Sequence, residues 1–242
     1  MSNGSRVQNQ LAPAGLLPDN VADLLLDRIV SGNFNSGDAL PSEDNLASAF
    51  SVSRLTLREA VKSLIHAGVV EVRRGKGTFV CDVSQWSPLE PRLLRARVRL
   101  DGPRESVTLL LEARRAVERG ATESAAARRK TSDLAALRRA LSKMEKTTDK
   151  TKFAEADLEF HSALFVASKN PLLGALLQPV EELLHDHRVL TSSAALARRH
   201  AIAAHRTILE YVASRDVVAA GMAMVVHIDQ TIADVIRFGL EG

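Results

Sequence analysis

Leu40-Pro41-Ser42-Glu43, then Leu46-Ala47, then Val52-Ser53-Arg54-Leu55-Thr56-Leu57-Arg58, then Gly75-Lys76-Gly77-Thr78-Phe79-Val80: the reading of residues 40–80 decides the fold of the first part of this chain. Pro41 suits the first turn of a helix, and Ser42 or the residue before Pro41 can cap it. Leu46, Ala47 and Phe50 give that helix one apolar face. Ser51-Val52-Ser53 makes a short turn, with Ser53 as N-cap of the next helix. There Leu57, Val61, Leu64 and Ile65 follow helical spacing and are expected to pack inward. Arg54, Thr56 and Arg58 are left facing out near its start, the side chains that groove readout by a helix N-terminus requires. Ala67-Gly68 ends the helix. Two short strands are expected at 69–72 and 78–80. Their connecting tip, Arg73-Arg74-Gly75-Lys76-Gly77, is basic and suited to phosphate or minor-groove contact. A preceding helix over 20–31 carries Val21, Leu24, Leu25 and Ile29 on one face.

Helix, turn, helix and wing in that order resemble the winged helix of GntR-type bacterial transcription regulators over residues 20–82. The resemblance implies double-stranded operator DNA as partner. It places Arg54 and Arg58 on bases or phosphates, Thr56 near the groove, and the Arg74-Gly75-Lys76-Gly77 tip in the minor groove. One position departs from the pattern: relatives often carry Arg where this chain has Asp44.

Composition sets further bounds. The chain has 242 residues, enough for two domains, with 45% hydrophobic and 25% charged residues. The single cysteine, Cys81, excludes an internal disulfide framework. Residues 1–16 do not resemble a signal peptide, and no uninterrupted apolar run reaches the roughly 18 residues of a membrane span; a cytoplasmic protein with no membrane partner is expected. The net charge of +3 is uninformative by itself. Its distribution says more: residues 53–80 hold six Lys/Arg against two Glu, a local basic footprint where the groove reader lies.

The domain plan expected from the pattern is a disordered tail at 1–17, a winged helix-turn-helix at 18–82, a linker at 83–104 and an all-helical domain at 105–242. The fold class is mainly α, with a small β-wing. A short helix is expected within the linker at about 89–97, and Trp86 is read as a packing anchor between the domains. Helices are expected at about 105–129, 132–146, 151–168, 171–190, 195–214 and 216–238, forming an antiparallel bundle. The first of these is assigned an inward stripe of Leu110, Ala113, Val117 and Ala121.

Polar residues on inward faces are the informative ones. Asp157 and His161 lie four apart beside Phe153, Phe160 and Leu164. His205 falls in the apolar line of Ile202, Leu209 and Val212, and His227 in that of Ala220, Met224 and Thr231. A lone inward histidine is ordinarily a satisfied core residue. A buried carboxylate, however, is costly unless paired or metal-bound. Three imidazoles with one carboxylate form a ligand set for a divalent metal, zinc first, with nickel or manganese also suited. His66, His185, His187 and His200 show no such grouping.

Residues 105–238 resemble the FCD effector domain of the FadR-like GntR subfamily. The matching pieces are Leu111-Glu112-Ala113-Arg114 with Glu118, Asp157-Leu158-Glu159-Phe160-His161, Ser168-Lys169-Asn170-Pro171, His205 and His227. The resemblance implies a metal held by Asp157, His161, His205 and His227, a small carboxylate beside it, Arg114 as the residue facing that carboxylate, and a homodimer. A fainter similarity around Trp86 points to sugar acids. The leading expectation is a repressor, not an enzyme, that binds a palindromic operator and releases it on binding the acid. A metal-dependent enzyme fused to a DNA-binding domain, or a repressor that senses the metal itself, are the alternatives.

Overall fold

The computed structural model describes residues 17–238; the expected tail at 1–17 therefore lies outside the described residues except for Leu17. The chain divides into two compact units, one through Ala96 and one from Arg97.

In the first unit α1 (Pro18–Val30), α2 (Glu43–Ala49) and α3 (Arg54–His66) precede an antiparallel hairpin of β1 (Val70–Arg73) and β2 (Gly77–Val80). Ser42 caps α2, its Oγ accepting the Asn45 N–H, so Pro41 stands before the cap rather than in the first turn. Ser53 caps α3 in the same way through the Thr56 N–H. Leu25, Leu26, Leu57 and Leu64 are fully buried in one core with Val21, Val69 and Val70. Two expected core positions are corrected. Leu24 and Ile65 are 42% and 39% exposed. The buried stripes run Val21, Ala22, Leu25, Leu26, Ile29 and Leu57, Ala60, Val61, Leu64, and each misplaced residue falls just beyond the edge of its stripe. Gly68 closes α3 at φ 74°, where a Cβ would strike the Gln85 carbonyl oxygen at 2.4 Å.

The expected linker is largely structured. A 3-10 turn at Val83–Gln85 leads to α4 (Pro91–Asp101). Arg92, 7% exposed, ties α4 to α1 through Asp19 at 2.7 Å and Asp23 at 2.6 Å, while Leu93 and Ala96 join the first unit's core. Trp86 packs on that same core, and its Nε1–H donates to the Cys81 carbonyl at 3.3 Å.

The second unit is a bundle of α5 (Pro103–Arg128), α6 (Thr131–Lys146), α7 (Lys150–Ser168), α8 (Pro171–Thr191), α9 (Ala195–Ser214) and α10 (Val217–Phe238). Helix α5 packs against α7, α8, α9 and α10, so whatever it presents inward reaches the middle of the bundle. Asp149 and Asn170 cap α7 and α8 with their side chains. Helix α10 is long and apolar enough by composition to cross a membrane. It packs along α5 and α9 and buries His227 and Asp234, which makes it a bundle helix. The stripe expected for α5 is corrected in part: Leu110 and Ala121 are buried, but Val117 is half-buried and Ala113 exposed, and the inward line also takes in Leu111, Arg114, Glu118, Thr122 and Ala125.

Candidate metal and ligand centre, and the recognition face

Helices α7, α9 and α10 bring Asp157, His161, His205 and His227 together, all four buried, with their ligand atoms within 4.8 Å of one another. His161 Nε2 lies 3.2 Å from His205 Nε2 and 3.4 Å from His227 Nε2. Asp157 Oδ1 is 3.4 Å from His205 Nε2.

The outer partners of the rings decide which nitrogens are bare. His205 Nδ1 is 2.6 Å from the Ala201 carbonyl, which can only accept, so Nδ1 carries the proton. His161 Nδ1 is 2.5 Å from Glu118 Oε2 and donates likewise. In neutral rings both Nε2 atoms then present lone pairs to each other, an unfavourable contact unless a cation lies between them. Nitrogen ligands about 2.0–2.1 Å from one ion at tetrahedral or octahedral angles stand about 2.8–3.4 Å apart. The two His–His spacings fall in that range, while the four ligand atoms together span up to 4.8 Å, and the mixed N/O donors suit zinc, nickel or manganese. Burial holds His161 and His227 well below the usual imidazole range and lowers His205, so the rings are neutral, as ligation requires. Burial pushes the Asp157 carboxyl up, but the adjoining imidazoles and guanidiniums outweigh it and leave the group below its ordinary range.

Around the four lies a second tier. Arg114, 3% exposed, sets its Nε 2.5 Å from Glu118 Oε1 and 3.3 Å from Glu181 Oε1. Burial would lower its pKa, but Glu118, Glu181 and Asp157 raise it, and it stays fully charged. Arg188 sets its Nε 3.0 Å from Asp157 Oδ2 and its Nη2 2.6 Å from Glu181 Oε2. Arg114 Nη2 and Arg188 Nη1 are buried without a hydrogen-bond partner. Both arginines line a cavity with Asp157 and His227.

Glu181 and Arg188 escaped sequence reasoning, and Glu118 entered only through a resemblance. The signal was present. Leu177, Glu181, Leu184 and Arg188 recur at spacings of 4, 3 and 4, so two charges sit in an apolar stripe of α8. His200, read as ordinary, lines the same cavity and pairs with Asp234 at 2.9 Å.

In the first unit Arg54 and Arg58 are exposed at the start of α3. Each is engaged through Nε, Arg54 by Asp44 Oδ1 and Arg58 by Glu43 Oε2, both at 2.7 Å. Thr56 is half-buried and its hydroxyl lies 2.8 Å from Ser53 Oγ. Between them Leu55 is 70% exposed, a large apolar side chain on the presented face that sequence reading passed over. At the wing, Gly75 and Gly77 take φ of 73° and 109° to make the tight tip, which leaves Arg74 and Lys76 exposed. Arg73 is turned back, bonded to Glu71 at 2.8 Å and stacked 4.3 Å over Phe79.

A winged helix with presented arginines, carried in one chain with a helical bundle around a buried ligand-type centre, defines a class: transcription regulators with a DNA-binding head and a helical second domain. The chain belongs to the gntR family of bacterial regulatory proteins, matching that family over residues 17–80 and the FCD domain over residues 109–230, the effector domain of its FadR-like branch. It is similar to the galactonate operon transcriptional repressor of Escherichia coli, 32% identical over 68% of this chain and 72% of that one. It is similar also to the regulator LutR of Bacillus subtilis, 33% identical over 83% and 92% of the two chains. A solved structure of Lar, from work on the Listeria monocytogenes agr system, shares the fold at TM-score 0.57 and 20% identity, covering 93% of this chain and 99% of that one.

Proposed function

We propose that this regulator is a cytoplasmic, homodimeric repressor that binds a palindromic operator and releases it when a small carboxylate enters the bundle. The observation that carries the reading is the pair of buried guanidiniums, Arg114 and Arg188, each with an unpaired N–H and each lining the cavity that adjoins the Asp157–His161–His205–His227 cluster. Buried unpaired donors of that kind call for an anion. A bidentate guanidinium fork matches carboxylate geometry.

Asp157, His161, His205 and His227 would hold a divalent ion, which supplies charge and an open coordination position for the acid's oxygens. Arg114 anchors the acid in this reading, and Arg188 joins it. A centre that sensed the ion alone would have no use for the two unpaired N–H groups, which favours an organic effector. The similarity to a galactonate operon repressor points to sugar acids.

At the DNA, one winged helix offers too little surface for tight specific binding, so two-fold symmetry supplies the second half-site. Operator release titrated with sugar acids, on protein of measured metal content, tests the whole reading. Release by an acid in the metal-loaded protein and none in the stripped protein is the expected result. No divalent metal by elemental analysis, and no thermal shift on adding one, would return the four residues to a structural role. Sedimentation of a monomer, both free and on DNA, would remove the dimer.

A further inference from the structure

Two polar groupings line the cavity beside the cluster. One holds Arg114, Arg188 and Asp157; the other is His200, Gln230 and Asp234, bonded to one another, with Arg198 also in the lining. Asp234 is only 6% exposed, and among the described residues its one ion-pair partner is His200, whose Nδ1 lies 2.9 Å from Oδ2. Gln230 Nε2 donates to Asp234 Oδ1 at 3.2 Å. Among the described residues no Lys or Arg is paired with this carboxylate.

Charge counting limits what the cavity can take. Its lining and the network behind it hold four carboxylates, on Asp157, Glu118, Glu181 and Asp234, against three guanidiniums, on Arg114, Arg188 and Arg198, with the cluster rings neutral. It is one positive charge short. A divalent ion turns that into a surplus of one, which a single carboxylate neutralises. A second carboxylate at the far end of the same molecule would meet Asp234 in a poorly solvated recess, where like charges repel more strongly than in water. A hydroxyl there does the opposite, because it donates to Asp234 and accepts from Gln230.

Building on the effector reading above, we propose that the cavity takes a hydroxylated monocarboxylate, carboxylate toward Arg114 and Arg188 and hydroxyls on the His200–Gln230–Asp234 grouping, and that Asp234 rejects acids with a second terminal carboxylate. This is discrimination by a repulsive element rather than by an added contact.

The test compares acids of equal carbon number that differ only in whether the last carbon is an alcohol or a carboxylate. Threonate with tartrate, gluconate with glucarate, and galactonate with galactarate serve, titrated calorimetrically at pH 8 into metal-loaded protein. For at least one pair, wild type binds the monoacid at least about tenfold more tightly, the scale of one partly screened charge repulsion. Asp234→Asn shrinks that ratio to less than about threefold by removing the charge. Gln230→Lys, at an exposed position that leaves the buried carboxylate in place, shrinks it by neutralising Asp234 and stands independently if Asp234→Asn fails to fold. A ratio unchanged in the folded variants, or a wild type that prefers the diacid, overturns the inference and leaves the effector reading intact. Failure of every acid to bind wild type overturns both.

Discussion

Glu118 accepts two buried hydrogen bonds at once, from Arg114 Nε on Oε1 and from His161 Nδ1 on Oε2, each at 2.5 Å. One carboxylate therefore both neutralises the arginine and fixes the tautomer of a candidate metal ligand. An amide cannot do both, since Gln offers one acceptor and one donor. If its oxygen stays with Arg114, its NH2 faces His161 Nδ1 and drives the ring proton to Nε2, where it blocks ligation. Glu118→Gln is expected to weaken metal binding by about 10–100-fold, the usual cost of losing such an outer partner. Competition with a chelator of known affinity measures it. An affinity within about threefold of wild type would show that the tautomer is set elsewhere.

The same burial makes the centre acid-sensitive. The folded-state pKa values of His161, His205 and His227 are depressed, His161 and His227 strongly, chiefly by desolvation. An unfolded histidine titrates near 6.5, so above that value neither state takes up protons at these rings. Below it the unfolded chain binds protons that the folded chain refuses, and stability falls with pH. Each ring contributes up to about 1.4 kcal/mol per pH unit between its unfolded and folded pKa values. Urea unfolding of metal-stripped protein should therefore give a free energy that drops from pH 7.5 to pH 5.5, with His205→Gln reducing the slope. A flat profile over that window would mean the rings are more solvated than their burial indicates.

How much of this was legible follows from what a sequence displays. Helix α3 was plain because Ser53, an outward Arg54 and Arg58, and an apolar stripe through Leu57, Val61 and Leu64 obey local rules. The four cluster residues were plain because each imidazole or carboxylate interrupts an apolar line. The second tier was hidden by its own chemistry. In α5 the inward positions include Arg114, Glu118 and Thr122, which look like a surface, so the middle of the stripe was assigned to their neighbours Ala113 and Val117. Glu181 and Arg188 were missed for the same reason: a buried ion-pair network has the composition of an exposed face. His200 is recognisable only once α9 and α10 are packed, because Asp234 lies 34 positions away.

On the DNA side, Arg54, Leu55 and Arg58 are presented together at the start of α3. Arg58→Ala or Arg54→Ala should cost about 1–3 kcal/mol of operator binding where the contact is to a base. Leu55 is expected to meet a thymine methyl, so Leu55→Ala should lower affinity for the operator but not for sequences lacking that thymine. At the wing, Lys76→Ala should weaken binding evenly across sequences and reduce the salt slope by about one. Fluorescence anisotropy on operator and scrambled duplexes at several salt concentrations separates the three. Unchanged operator affinity in Arg58→Ala would remove α3 as the reading helix.

Asp44 adds the least expected element of that face, an acid beside the presented arginines. It takes Arg54 through Nε at 2.7 Å, as Glu43 takes Arg58. With Nε occupied, each arginine keeps its two Nη groups, the fork that bonds guanine O6 and N7 together. Both pairs are largely exposed, so their worth to folding is small and their worth to orientation is the point. Two effects of Asp44→Ala are then separable. Loss of a negative charge beside the phosphates should raise affinity for all DNA and steepen its salt dependence. Loss of the brace should let Arg54 swing and reduce discrimination at a single half-site position by about 1 kcal/mol, within the range of one bidentate contact. Binding to a set of half-sites substituted one base pair at a time measures both. If Asp44→Ala tightens every sequence by the same factor, Asp44 acts only as a charge, and the brace assignment falls. If the loss is confined to the position that Arg54→Ala also relaxes, the two residues read that base pair as a unit.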